Sequence, residues 1–263
     1  MNYAVMLSGG VGQRVGGDIP KQYIKIKGHM IITYALISIM KSEFVDLVQI
    51  VADEHWHKEI VDDIKSMGLD DSKVSGFTEP GENRQLSILN GMVSIINDRY
   101  GKGEKLVPSG MARSSFVSKE VESRIAADDT IFIHDAARPF LSEKMIERCY
   151  VALGEHEGVM PVLPMKDTVY LSEDGFKVSK LLKRSQVYSG QAPELFNLKK
   201  YYRANINLFP DDIIHIHGST EPAIKAGMDV AMIEGDESNF KVTTKADLLR
   251  CQEIIVNEGM GVK

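Results

Sequence analysis

Short apolar runs at residues 3–7, 47–51, 130–133 and 159–163 alternate with segments in which apolar residues recur every three to four positions, and no other feature limits the fold as strongly. Runs this short, largely apolar and closed by turn residues, read as strands buried on both faces. The intervening segments 31–40, 55–67, 84–96 and 143–153 carry the periodicity of amphipathic helices. Strand following helix following strand predicts an α/β fold with a doubly wound, mostly parallel sheet. A late strand is expected at 229–233, and Thr244 with Asp247 three positions on marks the start of a last helix.

Two segments break this rhythm. Residues 100–129 are charged, contain Gly and Ser, and are long for a connection, so they read as an insertion with a short helix over 117–125. Residues 165–187 are polar and basic, with Asp174-Gly175 between β-like flanks, which is a hairpin signal.

The totals exclude more than they identify. A chain of 263 residues can bury a core without disulfides or a structural metal, and one domain over 1–263 is the expectation. Its 31 Lys and Arg against 37 Asp and Glu give a net charge of −6, which argues against a general nucleic-acid footprint. Cys149 and Cys251 lie in helical segments without ligand spacing, so neither a disulfide framework nor a zinc site is expected, and a reducing cytoplasm fits. The N-terminus passes at once into a strand pattern without the marks of a signal peptide, and no apolar run approaches membrane length.

The first strand runs into Ser8-Gly9-Gly10-Val11-Gly12-Gln13-Arg14, followed by Gly16, Gly17 and Pro20-Lys21-Gln22. Glycines without a Cβ let successive N–H groups converge on phosphate oxygens, and Arg14 and Lys21 add charge to the same cluster. A polyphosphate is the expected ligand. The loop lacks the Walker A pattern, and Val15 stands where a dinucleotide fingerprint needs its third glycine.

His134-Asp135-Ala136-Ala137-Arg138-Pro139 follows the buried run 130–133, so it lies at the carboxyl end of a strand, where open α/β sheets bind ligands. A carboxylate beside a triphosphate is repulsive unless a cation lies between them, which makes Asp135 a candidate ligand of Mg²⁺. A carboxylate capping the next turn is the plain alternative, and His134 reads as a satisfied core histidine without a catalytic role. Lys241, in Asn239-Phe240-Lys241-Val242-Thr243-Thr244, is a candidate second cation for the reacting phosphate, or else a solvated surface charge. Gly81-Glu82-Asn83-Arg84 with Ser87 one turn on suits nucleoside recognition, and equally a plain helix cap.

Together, the G-G-x-G-x-R…P-K-Q opening, the R-x-x-S helix start, H-D-A-A-R-P, G-Q-x-P-x-x-F and N-x-K-x-T occur in order from residue 3 to about 250. In this the sequence resembles the IspD/TarI family of cytidylyltransferases, which act on 2-C-methyl-D-erythritol 4-phosphate or ribitol 5-phosphate. The resemblance implies a Rossmann-like nucleotidyltransferase domain in which 165–187 is a β-arm embracing a partner subunit, hence a homodimer with shared sites. It also implies roles. Ser8, Gly9, Gly10 and Gly12 would hold the CTP phosphates, Arg14 and Lys21 would stabilise the reacting triphosphate, and Lys241 would face the α-phosphate. Gly81, Glu82 and Ser87 would read cytosine and ribose, with Glu82 in place of a more usual Asp. Asp135 would hold Mg²⁺, Arg138 would support the polyol-phosphate site, and Thr168 with Arg184 would reach the acceptor phosphate from the neighbouring arm.

Two departures bear on the acceptor. Ala192 stands where the family has Thr in G-Q-T-P, and His217-Gly218-Ser219-Thr220-Glu221 replaces a T-D pair. The Tyr188-Ser189-Gly190-Gln191 and Trp56 contexts lean towards ribitol 5-phosphate over 2-C-methyl-D-erythritol 4-phosphate. The expected chemistry is in-line attack of the acceptor phosphate on the α-phosphorus of CTP, which needs no dedicated base because a phosphate monoester, with a second pKa near ~6, is already largely dianionic at neutral pH. A nucleotide-sugar glycosyltransferase is the competing enzyme class, but it usually needs an Asp-x-Asp pair that His134-Asp135-Ala136 does not offer. A non-catalytic nucleotide-binding module is the third reading.

Overall fold

The computed structural model describes residues 1–10, 19–101, 117–209 and 211–258. Gly12, Arg14 and most of the expected insertion, residues 102–116, therefore lie outside the described residues.

In chain order the strands and helices are β1 Asn2–Leu7, β2 Lys25–Ile26, β3 His29–Met30, α1 Ile31–Lys41, β4 Leu47–Val51, α2 Glu54–Ser66, β5 Val74–Thr78 and α3 Arg84–Tyr100. They continue with α4 Lys119–Arg124, β6 Thr130–Asp135, α5 Glu143–Leu153, β7 Gly158–Pro164, β8 Tyr170–Leu171, β9 Lys180–Leu181 and β10 Tyr188–Gly190. The last are β11 Glu194–Asn197, α6 Leu198–Ile206, α7 Glu221–Lys225, β12 Val230–Glu234 and α8 Lys245–Glu258.

The main sheet has the order β10-β7-β11-β6-β1-β4-β5, with β12 also paired to β7. β1 is parallel to β4 and β6, β4 to β5, and β12 to β7, while β10 and β11 run antiparallel to their neighbours. Alternation along β1 divides the core. Ala4 and Met6 meet Leu36 and Ile39 of α1, Ile60 and Ile64 of α2, and Met145 and Cys149 of α5 on one face. Tyr3 and Val5 meet Leu89, Met92 and Val93 of α3, Val121 of α4 and Tyr201 of α6 on the other. Each such aliphatic side chain, fully buried, contributes roughly 1.5–3 kcal/mol, so the three-layer sandwich follows from strands that are apolar on both sides.

The expected helices and strands are all present, displaced by a few residues at most. β5 escapes the apolar-run criterion because Ser75 and Gly76 interrupt it and it pairs only with β4. β10 and β11 escape because they are one antiparallel ribbon on β7, broken at 191–193, with 3 and 4 residues in its two pieces.

The last helix starts as the Thr244 and Asp247 pairing predicts. Asp247 N–H donates to Thr244 Oγ1 at 3.1 Å, and Asp247 Oδ2 accepts from the N–H groups of Thr243 and Thr244 at 2.9 and 2.8 Å. Cys251 and Ile255 of α8 pack with Tyr34 and Val242, fixing the preceding loop against α1. The segment 165–187 stands off the sheet as a hairpin in which β8 pairs antiparallel with β9. Gly175, with φ 77°, turns the chain at its tip, and Tyr170, Leu171, Phe176, Val178 and Leu181 are exposed along it.

Candidate active site

The sheet order reverses at β1, which has β4 on one side and β6 on the other, so a crevice opens at the carboxyl ends of β1 and β6. Register brings Leu7 opposite Asp135, which sets the Gly9-Gly10 turn beside that carboxylate. Gln22 holds the turn from behind, its Nε2 donating to the carbonyls of Ser8 at 2.6 Å and Gly10 at 2.7 Å. Tyr23 adds a bond from its hydroxyl to Ser8 O at 2.9 Å, and its ring stacks on Trp56 at 4.2 Å. A Cβ on Gly9 would meet Pro80 at 2.4 Å, so only glycine allows the two loops to approach. Ser8 itself faces away from the crevice, with its N–H bonded to Val51 O and its hydroxyl to Tyr23.

The second wall is the start of α3. Asn83 is the cap, its Oδ1 accepting from Leu86 N–H at 2.8 Å, which leaves Gly81, Glu82 and Ser87 along the cavity. Ser87 Oγ accepts from Gly81 N–H at 3.0 Å and donates to Asn83 O at 2.9 Å, closing the turn. A Cβ on Gly81 would come within 2.5 Å of the Leu86 side chain and 2.8 Å of the Ser87 nitrogen, so the turn requires glycine.

At the floor lies Asp135, buried, with Lys241 Nζ at 2.9 Å from Oδ2 and Arg84 Nη2 at 3.0 Å from Oδ1. Arg138 Nε is 3.8 Å from Oδ2, and its Nη1 donates to Asn239 O at 2.7 Å. That bond, with Val242 N–H to Ala137 O at 2.8 Å and Asn239 Nδ2 to Ala192 O at 2.8 Å, fastens the loop bearing Lys241 over the end of β6. Burial alone pushes the Asp135 carboxyl up, but Arg84, Lys241 and Arg138 outweigh it and hold it well below the usual carboxylate range. Burial pushes His134 down to about 4, so it is neutral at pH 7, with Nε2 3.0 Å from Arg138 O. This is the core histidine the sequence suggests.

Gly9, Gly10, Lys21, Gln22, Gly81, Glu82, Arg84, Ser87, Asp135 and Lys241 line one cavity of about 720 Å³. Residues expected from four distant segments thus meet in one place. Arg138 lies behind Asp135 and outside the lining. Thr168 and Arg184 sit exposed on the arm, where Arg184 Nη1 donates to Lys166 O at 3.0 Å, and the structure does not bring them to this cavity.

No cluster of three or more His, Cys, Asp or Glu side chains that could hold a metal occurs among the described residues. The carboxylate of Asp135, beside the glycine turn, is by itself too poor a donor set for a cation held by protein alone. It fits Mg²⁺, whose remaining ligands are commonly substrate phosphates and water.

Sequence reasoning set Arg84 in a segment suited to nucleoside recognition but did not pair it with Asp135, and it gave no role to Gln22 or Glu194. Arg84 carried a signal: a cation in the first turn of α3 opposes the helix dipole, so its charge has to be answered elsewhere. Asp135 and Glu194 answer it, and they restore the charged form that burial disfavours.

Residues 3–100 and 94–257 match the family described as IspD: 2-C-methyl-D-erythritol 4-phosphate cytidylyltransferase. The 2-C-methyl-D-erythritol 4-phosphate cytidylyltransferase of Thermotoga neapolitana is 29% identical over 250 residues, covering 94% of each chain. The bifunctional enzyme IspD/IspF of Maricaulis maris is 29% identical over 264 residues, covering 98% of this chain, which spans 58% of that longer relative. Among solved structures, the 4-diphosphocytidyl-2C-methyl-D-erythritol synthase of Anaerococcus prevotii superimposes with a TM-score of 0.72 at 20% identity, over 97% of this chain and 96% of that one. The Francisella tularensis 2-C-methyl-D-erythritol 4-phosphate cytidylyltransferase gives 0.70 at 21%, over 96% and 98%. At such identities the structures speak for the fold. The leaning towards ribitol 5-phosphate, which rested on the contexts of Tyr188 and Trp56, is not the one these comparisons favour: the matching family and the Thermotoga neapolitana relative are named for 2-C-methyl-D-erythritol 4-phosphate. From the ordered sequence match, which spans nearly all of its length, the chain belongs to the IspD family of cytidylyltransferases.

Proposed function

We propose that the chain transfers the cytidylyl group of CTP to 2-C-methyl-D-erythritol 4-phosphate and releases pyrophosphate. Membership of the family supports the reaction class, and the names of the full-length relatives support the acceptor. The observation that carries the reading is the meeting of Gly9, Gly10, Lys21, Asp135 and Lys241 around one cavity.

The acceptor phosphate oxygen bonds to the α-phosphorus of CTP while the bond from that phosphorus to the β-phosphate bridging oxygen breaks. The leaving pyrophosphate takes the electron pair. The nucleophile arrives already ionised, so the protein must supply alignment and positive charge. N–H groups at Gly9 and Gly10 face the triphosphate, with Lys21 and Lys241 at either side, and Gly12 and Arg14 are assigned to the same cradle. Asp135 would hold Mg²⁺, which when bound neutralises charge on the triphosphate. Gly81, Glu82 and Ser87 take the nucleoside, and Arg138 supports the acceptor side from behind Asp135.

Thr168 and Arg184 are assigned to the acceptor phosphate of a neighbouring subunit, because the exposed apolar side chains of the arm suit a homodimer. We place one such nucleotidyltransferase domain over 1–263, with 165–187 as its arm. Both cysteines are free and buried, which fits the cytoplasm, and no described helix is long and apolar enough to cross a membrane.

The test is pyrophosphate release with CTP, ATP, UTP or GTP against 2-C-methyl-D-erythritol 4-phosphate and ribitol 5-phosphate. Release with CTP and the first acceptor is expected. Release with ribitol 5-phosphate alone would move the acceptor, and no release from any pair would remove the catalytic reading.

A further inference from the structure

Behind the cavity, Glu194 opens β11 opposite Ile133 of β6, two residues before Asp135. Its side chain is buried, with 8% of the residue exposed. Oε1 accepts a hydrogen bond from the hydroxyl of Ser219, in the loop before α7. Oε2 is buried without a hydrogen-bond partner, and the nearest cation is Arg84, whose Nη2 lies 3.7 Å away. That same guanidinium is bonded to Asp135 through Nη2 at 3.0 Å and Nε at 3.3 Å. One arginine therefore stands between two buried carboxylates, one of them saturated with cations and the other with an open oxygen.

This arrangement is unstable towards loading of the site. A divalent cation at Asp135 would have to compete with Arg84 and Lys241 for its two oxygens. Lys241 lines the open cavity and can turn to a phosphate. Arg84 lines the cavity too, but from the first turn of α3 and with only 29% of its side chain exposed, so a guanidinium left there without a carboxylate would be an uncompensated, mostly buried charge, which is strongly unfavourable. Glu194 Oε2 is within a small rotation of it.

We propose that Glu194 is a positioning residue that receives Arg84 as Asp135 turns to the metal, so that its negative charge makes Asp135 available. The inference rests on the proposed reading of the site, with Asp135 holding Mg²⁺ beside CTP. Glu194 touches no reacting atom. Through Ser219 it also ties this exchange to the loop 217–221, where the chain departs from the family pattern.

Glu194→Gln tests it, because glutamine keeps the shape and can bond both Ser219 and Arg84 but lacks the charge. The readout is thermal stabilisation by CTP as Mg²⁺ is titrated, without acceptor and without turnover. In Glu194→Gln the Mg²⁺ concentration for half-maximal stabilisation is expected to rise about tenfold, within the usual range of coupling between sites. In an Arg84→Met background, where no guanidinium competes for Asp135, the same substitution should shift it little.

An unchanged Mg²⁺ midpoint in folded Glu194→Gln overturns the proposal, as does an equal shift with and without Arg84. Should Glu194→Gln fail to fold, Glu194→Asp, which keeps the charge but draws it back, decides by the same titration and the same double-variant comparison. Wild-type protein showing no Mg²⁺-dependent stabilisation by CTP would instead remove the reading of the site, and this inference with it.

Discussion

Lys241 Nζ lies 2.9 Å from Asp135 Oδ2, so a cation from the loop before the last helix closes on a carboxylate 106 residues earlier in the chain. The pair is held by hydrogen bonds from Val242 N–H to Ala137 O and from the Arg138 side chain to Asn239 O, so the lysine is aimed by the fold and is not a solvated surface charge. Replacing Lys241 with alanine should lower kcat by on the order of 10²-fold, the usual cost of removing one preorganised electrostatic donor, with a smaller change in CTP affinity. Lys21→Ala and Arg14→Ala should behave alike. Steady-state kinetics with wild-type kcat in any of the three would withdraw that residue from the list of charge stabilisers.

Gln22 gives a prediction of the opposite kind. Its amide satisfies two carbonyls of the glycine turn, and its loss removes both bonds, each worth about 0.5–1.5 kcal/mol net, leaving Ser8 O with the Tyr23 hydroxyl alone. Gln22→Met should therefore weaken CTP binding by roughly tenfold or more while kcat at saturating CTP changes less. Calorimetric titration with CTP measures this, and equal affinity in the variant would show that the turn holds its shape unaided.

Asp247 provides a test in pH. Although burial alone would push its carboxyl up, bonds from Thr243 and Thr244 bring it down to about 2. A depressed folded-state pKa means that the stabilisation is fully present above the unfolded value near ~3.9 and is lost as pH falls through the folded one. Asp247→Ala should cost about 0.5–2 kcal/mol at pH 7, as for other helix caps. The gap between wild-type and variant melting temperatures should narrow as pH drops from about 4 towards 2. A gap independent of pH over that interval would rule out the charged cap as its source.

The arm predicts an oligomeric state. Phe176 is 94% exposed, and Tyr170, Leu171, Val178 and Leu181 are exposed beside it, an apolar surface that a lone subunit leaves in water. Sedimentation should show a dimer for the whole chain and a monomer once these side chains are replaced by serine. A monomeric wild-type protein would leave Thr168 and Arg184 without a neighbouring site to complete.

Much of this was legible in the sequence because the strands β1, β4, β6 and β7 are apolar on both faces and the site residues sit at their ends. The motif N-x-K-x-T is a case in point. Asn239 fastens the loop to Ala192, Lys241 meets Asp135 and Thr243 binds Asp247, so each spelled residue has a separate physical task. Arg84 and Glu194 were hidden for a different reason. Their importance lies in a contact between the start of a helix and a short antiparallel strand, and nothing in local periodicity announces β11. The leaning towards ribitol 5-phosphate finds no support in the site, because Tyr188 is half-exposed at the foot of the hairpin and Trp56 stacks on Tyr23, and neither lines the cavity.

The reversed direction of β11 has a consequence for how such a fold can vary. Parallel strands deliver their last residues to the crevice, but an antiparallel one delivers its first, which is why Glu194 and Asp135 arrive at the same edge from opposite ends of their strands. The chain leaving β7 at Pro164 and returning at Tyr188 is paired across that same edge. Any lengthening or shortening of the hairpin is thereby confined to the end of the sheet at which β6 and β7 finish, while the buried layers beneath stay as they are.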